Sequence, residues 1–171
     1  AFDHTKLKDR TVVVRCAKEG EKMKTLDGVE RTLDPSMLVI CDTEKPNAVA
    51  GVMGGEESKV KDEVEGEQRT ESILLESALF DPASIKDTST KLGLSSESSY
   101  RYIRGVNKAV ANFASKRAAH LLQKYGAAKV AKGYVNVDNR KVIGPSEPFN
   151  AIPGVVYNYN APVKLNFVRA S

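Results

Sequence analysis

Tryptophan is absent from the 171 residues, and histidine and cysteine occur twice each. Each shortage removes a class of chemistry. Cys16 and Cys41 stand far apart, with no CxxC and no histidine cluster, so neither a zinc site nor a disulfide framework is indicated. They read as buried thiols of a reducing cytosol. His4 and His120 are isolated and no HExxH occurs, which leaves a metal centre or a Ser-His-Asp mechanism little to work with. No Walker loop and no GxGxxG is present, so a nucleotide-phosphate cradle has no support. No apolar run approaches the roughly 20 residues of a membrane span. The opening AFDHTKLKDR has no initiator Met and no signal-peptide core, and reads as a piece of something longer.

What remains is an ordinary soluble composition, 41% apolar and 28% charged, of a length that suits one well-cored domain. The net charge of +4 is unevenly spread. EESKVKDEVEGEQRTE (56–71) holds seven acids and three bases and reads as an exposed loop, whereas residues 98–137 hold eight Lys or Arg and no acid. Tyr100, Tyr102, Tyr125 and Tyr134 lie among those bases. Bases interleaved with aromatics suit a phosphate backbone and unpaired nucleobases, although composition alone favours a solvated helix face with Tyr in the core.

The first half predicts strands at 12–17, around TLDGVERTL (25–33), at 37–42, 47–54 and 72–80. Asp27-Gly28 predicts a two-residue hairpin turn with positive φ at both positions. The second half predicts helices. Asp81-Pro82 offers an N-cap and first-turn proline for a helix ending near Gly93, and an apolar stripe from Val110 to Tyr125 stops at Gly126. Beyond 138 the prolines and asparagines suggest an extended linker towards a further module, 139–171. Strands followed by helices imply an α+β fold with a curved, barrel-like, mostly antiparallel sheet and helices packed on it.

Three segments could carry chemistry. GVMGGEE (51–57) ends an apolar run with glycines that allow close approach to backbone N–H groups. GLSSESSYRYIRGV (93–106) sets four serine hydroxyls beside Arg101 and Arg104. ILLESALF (73–80) places Glu76 on one strand face with Leu74, Ala78 and Phe80. A carboxylate in such company is either solvated at a rim, the commoner case, or held in a pocket with hydrogen bonds replacing water.

Taken together, TLDGVERTLDPSMLVICD, AVAGVMGGEES, ILLESALFDPASI and KLGL with SYRYIRGV resemble, in order and spacing, the B3/B4 module of the bacterial phenylalanyl-tRNA synthetase β subunit over residues 1–138. The opening AFD is similar to the tail of that family's PLHAFD run, whose histidine would precede Ala1. The resemblance implies a hydrolytic second sieve that removes tyrosine misattached to tRNA(Phe). Such a sieve answers a physical need, because a phenyl-shaped pocket rejects an added hydroxyl only about a hundredfold. On this resemblance Glu76 reads the tyrosine hydroxyl, Gly51 and Gly54 form a wall, and Ser96 and Ser98 line the pocket where members often have Thr and Ala. Arg101, Arg104 and Lys108 are tRNA-binding candidates, and Ile103 stands where the family usually has Glu. No side chain is assigned as nucleophile and no metal or cofactor is placed here. ATP and magnesium belong to the whole synthetase, as does the α subunit of an α2β2 assembly. A second reading stays open: a non-catalytic tRNA-binding or interdomain module.

Overall fold

The computed structural model of the chain describes residues 1–62, 69–107, 109–131 and 137, with the backbone of 163–164 and 168–170. Lys108, Tyr134, the centre of the acidic stretch (63–68) and most of 139–171 lie outside the described residues.

Strands come first and helices later: β1 Phe2–Asp3, β2 Thr11–Cys16, β3 Lys22–Lys24, β4 Glu30–Thr32, β5 Leu38–Cys41, β6 Pro46–Val49, β7 Met53–Gly54 and β8 Ser72–Leu74 precede α1 Pro82–Lys91, α2 Glu97–Ile103 and α3 Val110–Gly126. β9 Ala128–Val130, β10 Val163–Lys164 and β11 Val168–Ala170 follow. The described strand pairings are antiparallel, in sheets ordered β1-β8-β11-β9, β10-β2-β5-β6-β7 and β3-β4. The α+β class is as expected, but no described sheet closes into a barrel. Closure needs every strand paired on both sides. The five-stranded sheet instead ends at the two-residue β7, beyond which the isolated bridge Thr25–Gly55 makes the link to the β3–β4 hairpin.

The core lies around β5 and β6, where Val39, Ile40, Cys41, Ala48 and Val49 are all buried, whereas Cys16, expected to be buried, ends β2 and is exposed. These strands carry consecutive apolar residues because both their faces are covered. Helix α1 presses Ile85 into this core and starts as the sequence predicts, with Asp81 Oδ1 accepting from Ala83 N at 3.0 Å and Pro82 in the first turn. The stripe of α3 is less covered than a core helix requires, since Phe113 is 69% and Tyr125 73% exposed.

Three local expectations change. The Asp27-Gly28 turn is not two-residue: Gly28 N donates to Thr25 O and Thr25 N to Val29 O, enclosing three residues. Only Gly28 of these has positive φ, the pattern of a type I turn closed by a left-handed glycine. The 47–54 run breaks into β6 and β7 at Gly51, φ +69°. The strand predicted over 72–80 stops at Leu74. Beyond it the backbone is drawn towards the helices, by Ser77 Oγ donating to Ala111 O (2.8 Å) and Tyr102 Oη to Ala78 O (3.2 Å).

Candidate functional site

The turn between β6 and β7 is the fixed point of the site. A Cβ on Gly51 would lie 2.7 Å from Phe80 Cδ2 and 2.8 Å from Ile85 Cδ1, so the backbone approaches these side chains as only glycine allows. Two predicted site residues hold this turn from α2. Ser98 Oγ donates to Gly51 O at 2.9 Å and Ser96 Oγ to Val52 O at 2.6 Å. Ser96 is also the N-cap of α2, accepting from Ser99 N at 3.1 Å, while Ser99 Oγ accepts from Ser96 N at 2.9 Å. That is a capping box with serine in the role usually taken by Glu or Gln. Both hydroxyl protons are therefore committed to backbone carbonyls. What each serine can still offer a ligand is an acceptor lone pair.

Gly54 faces another way. A Cβ there would meet Leu26 Cδ1 at 3.0 Å, and Leu26 N donates to Gly54 O at 3.0 Å. The tip of the β3–β4 hairpin thus lies over it. Arg31 secures that tip, bonding Thr25 Oγ1 (3.0 Å), Asp27 Oδ2 (2.6 Å) and, across the chain, Leu92 O (3.1 Å). Leu26 was not among the residues the sequence pointed to. Its place follows from the turn geometry, which the pattern alone did not give.

Glu76 stands in the irregular stretch after β8. Glu76 is exposed, and desolvation by the surrounding protein nonetheless raises its pKa. Among the described residues no group donates a hydrogen bond to it. Its electrostatic neighbour on α2 is Tyr102, whose pKa is raised by burial and then by the Glu76 charge. Tyr102 packs edge-on against Phe80, centroids 4.8 Å apart at 69°, and Phe80 in turn covers Gly51. Gly51 thus lies against Phe80 and Glu76 acts on Tyr102, while Ser98 and Ser96 reach the backbone carbonyls of Gly51 and Val52. Helical spacing could have indicated Tyr102, since it stands four residues after Ser98 on the same face.

The basic candidates lie elsewhere. Tyr100 and Arg104 share the outer face of α2, with the Arg104 guanidinium 3.4 Å from the Tyr100 ring centroid. Arg101 pairs with Glu97 at 3.2 Å in full solvent. Lys108 lies outside the described residues. A separate recess of about 50 Å³ on the hairpin side is lined by Lys22, Lys24, Lys45, Asn47, Gly55 and Ser58, and does not reach Glu76. No described helix is long and apolar enough to cross a membrane.

The chain is similar to known proteins over most of its length. The chain is 50% identical over 136 residues to the phenylalanine-tRNA ligase beta subunit of Moorella thermoacetica, covering 80% of this chain and 16% of the relative. It is 40% identical over 159 residues to that of Symbiobacterium thermophilum, covering 90% and 17%, and 48% identical over 130 residues to that of Aquifex aeolicus, covering 76% and 16%. The chain thus spans about one sixth of these relatives' length. The B3/4 domain model matches residues 1–127, which include the turn, the Glu76 stretch and the three helices, and the chain belongs to the B3/4 domain family.

Proposed function

We propose that this chain is the editing segment of a phenylalanyl-tRNA synthetase β subunit, and that it hydrolyses the ester joining a misattached tyrosine to tRNA(Phe). The observation that carries this reading is Glu76: a carboxylate with no donor among the described residues, raised in pKa by its surroundings and set beside the Phe80–Tyr102 pair. Ionised, it accepts a hydrogen bond from the phenol of tyrosine. A phenylalanyl group would cover the charge and leave it unpaired, which makes the site select for the hydroxyl. Glu76 acts in recognition and not as general base.

An aminoacyl ester is already activated, so a positioned water and N–H groups facing the developing oxyanion supply the catalysis without a nucleophile. The lone pairs of Ser96 and Ser98 contribute to placing that water. The tRNA end approaches over the basic surface of α2 and α3, where Arg104, stacked on the exposed Tyr100, offers a guanidinium to phosphate or base. ATP and magnesium serve charging at another module of the assembled enzyme, in company with the α subunit, in the cytoplasm.

The test compares the whole synthetase with its Glu76→Ala variant. Deacylation of Tyr-tRNA(Phe) is expected to fall by about a hundredfold while Phe-tRNA(Phe) hydrolysis stays low. Normal deacylation of Tyr-tRNA(Phe) by the variant would overturn Glu76 as the reader, and absence of deacylation in the unaltered synthetase would favour a purely tRNA-binding module.

A further inference from the structure

A carboxylate that must recognise one hydroxyl has to be held to within about half an ångström. Glu76 sits in a stretch without regular secondary structure and has no hydrogen-bond donor of its own among the described residues, so its position is set by whatever holds the neighbouring backbone. Successive attachments follow it. Ser77, the next residue, donates from Oγ to Ala111 O in the first turn of α3 at 2.8 Å. Ala78 O accepts from Tyr102 Oη of α2 at 3.2 Å. Phe80 packs edge-on against the ring of that same tyrosine and against the Gly51 turn.

We infer that Ser77 and Tyr102 are positioning residues that fix Glu76 for selection of a phenolic acyl group, tying its backbone to α3 and α2. This rests on the reading of Glu76 given above. The two bonds act on consecutive residues from different helices, which constrains the direction of the peptide as well as its location. Without the Tyr102 hydroxyl the ring still packs on Phe80, but nothing ties Ala78 O to α2. Without the Ser77 hydroxyl the stretch loses its bond to α3. Either loss widens the range of places the carboxylate visits, and the reading of a hydroxyl suffers before hydrolysis in general does.

The experiment uses the whole synthetase and measures kcat/KM for hydrolysis of Tyr-tRNA(Phe) and Phe-tRNA(Phe) in wild type, Tyr102→Phe, Ser77→Ala and Glu76→Gln. Tyr102→Phe keeps the aromatic packing, and Ser77 is at the surface, so folding is safeguarded in at least one variant. The tyrosine-over-phenylalanine ratio is expected to fall on the order of tenfold in both positioning variants. A merely structural role would lower both rates together and leave the ratio unchanged. If Glu76→Gln abolishes selectivity while a positioning variant retains it in full, the inference fails for that residue and the reading of Glu76 stands. If Glu76→Gln keeps full selectivity, that reading fails and this inference with it.

Discussion

The hydroxyl of Ser98 donates to the carbonyl of Gly51 at 2.9 Å, joining the first turn of α2 to a backbone turn 47 residues earlier in the chain. The turn it holds has no space for a side chain. Gly51→Ala combines a left-handed φ of +69° with contacts of 2.7 and 2.8 Å to the buried Phe80 and Ile85. A loss of about 2–4 kcal/mol is expected, and thermal unfolding of the variant measures it; an unchanged Tm would mean the turn is not packed as described.

Ser96 does two jobs where Ser98 does one. Ser96→Ala removes both the N-cap of α2 and the bond to Val52 O, at a cost of about 1–2 kcal/mol. Ser98→Ala, at an exposed position where water can replace the donor, is expected to cost under about 1 kcal/mol. Urea midpoints of the two variants decide the order. A larger loss for Ser98→Ala would contradict the capping role.

The direction of the Glu76 shift gives a pH signature. Desolvation raises its pKa above 4.5, so the ionised reader is present only above that raised value. Selectivity for tyrosine should rise with pH through a midpoint higher than an ordinary glutamate's, and a pH series of the two hydrolysis rates reveals it. Stability runs the other way, because the folded state holds the proton more tightly than the unfolded one. The cost of ionising Glu76 is fully present above the folded pKa and absent below 4.5. Glu76→Gln should therefore raise Tm at pH 8 and leave it unchanged near pH 4.

Asp3 shows the opposite case. Burial would raise its pKa, but hydrogen bonds from the side chains of Thr5 and Thr70 and from Thr5 N hold it below 3.8. Its stabilisation is present above 3.8 and is lost as pH falls through the lower folded value. Thr70→Val removes the 2.7 Å bond to Asp3 Oδ2 and should cost about 1–3 kcal/mol at pH 7. The penalty shrinks once Asp3 is protonated. Denaturation at pH 7 and pH 2 compares the two, and an equal penalty at both would show that Asp3 is not the partner that matters.

Several features were legible in the residues themselves. Asp81-Pro82 marked the start of α1 because a capping carboxylate and a proline satisfy local requirements of a helix's first turn. The apolar runs of β5 and β6 announced burial on both faces. Gly28 and Gly51 marked turns, although whether the first enclosed two residues or three depended on which carbonyls the turn's amides met. The family resemblance rested on motifs in register, and the match to the B3/4 domain agrees with it.

Tertiary structure decided what periodicity could not. Alternation set Glu76 on a strand face, but the strand ends at Leu74, and the carboxylate's surroundings come from bonds that Ser77 and Ala78 make to α3 and α2. The hydroxyls of Ser96 and Ser98 read as available to a ligand, and their protons instead go to Gly51 and Val52 carbonyls. The described sheets stay open where a barrel was expected. The chain's own order of residues determines turns, caps and buried strands because these are satisfied within a few residues. Contacts among Gly51, Ser98, Phe80 and Tyr102 span up to 47 residues, and only the packed molecule fixes which of their polar atoms remain for a substrate.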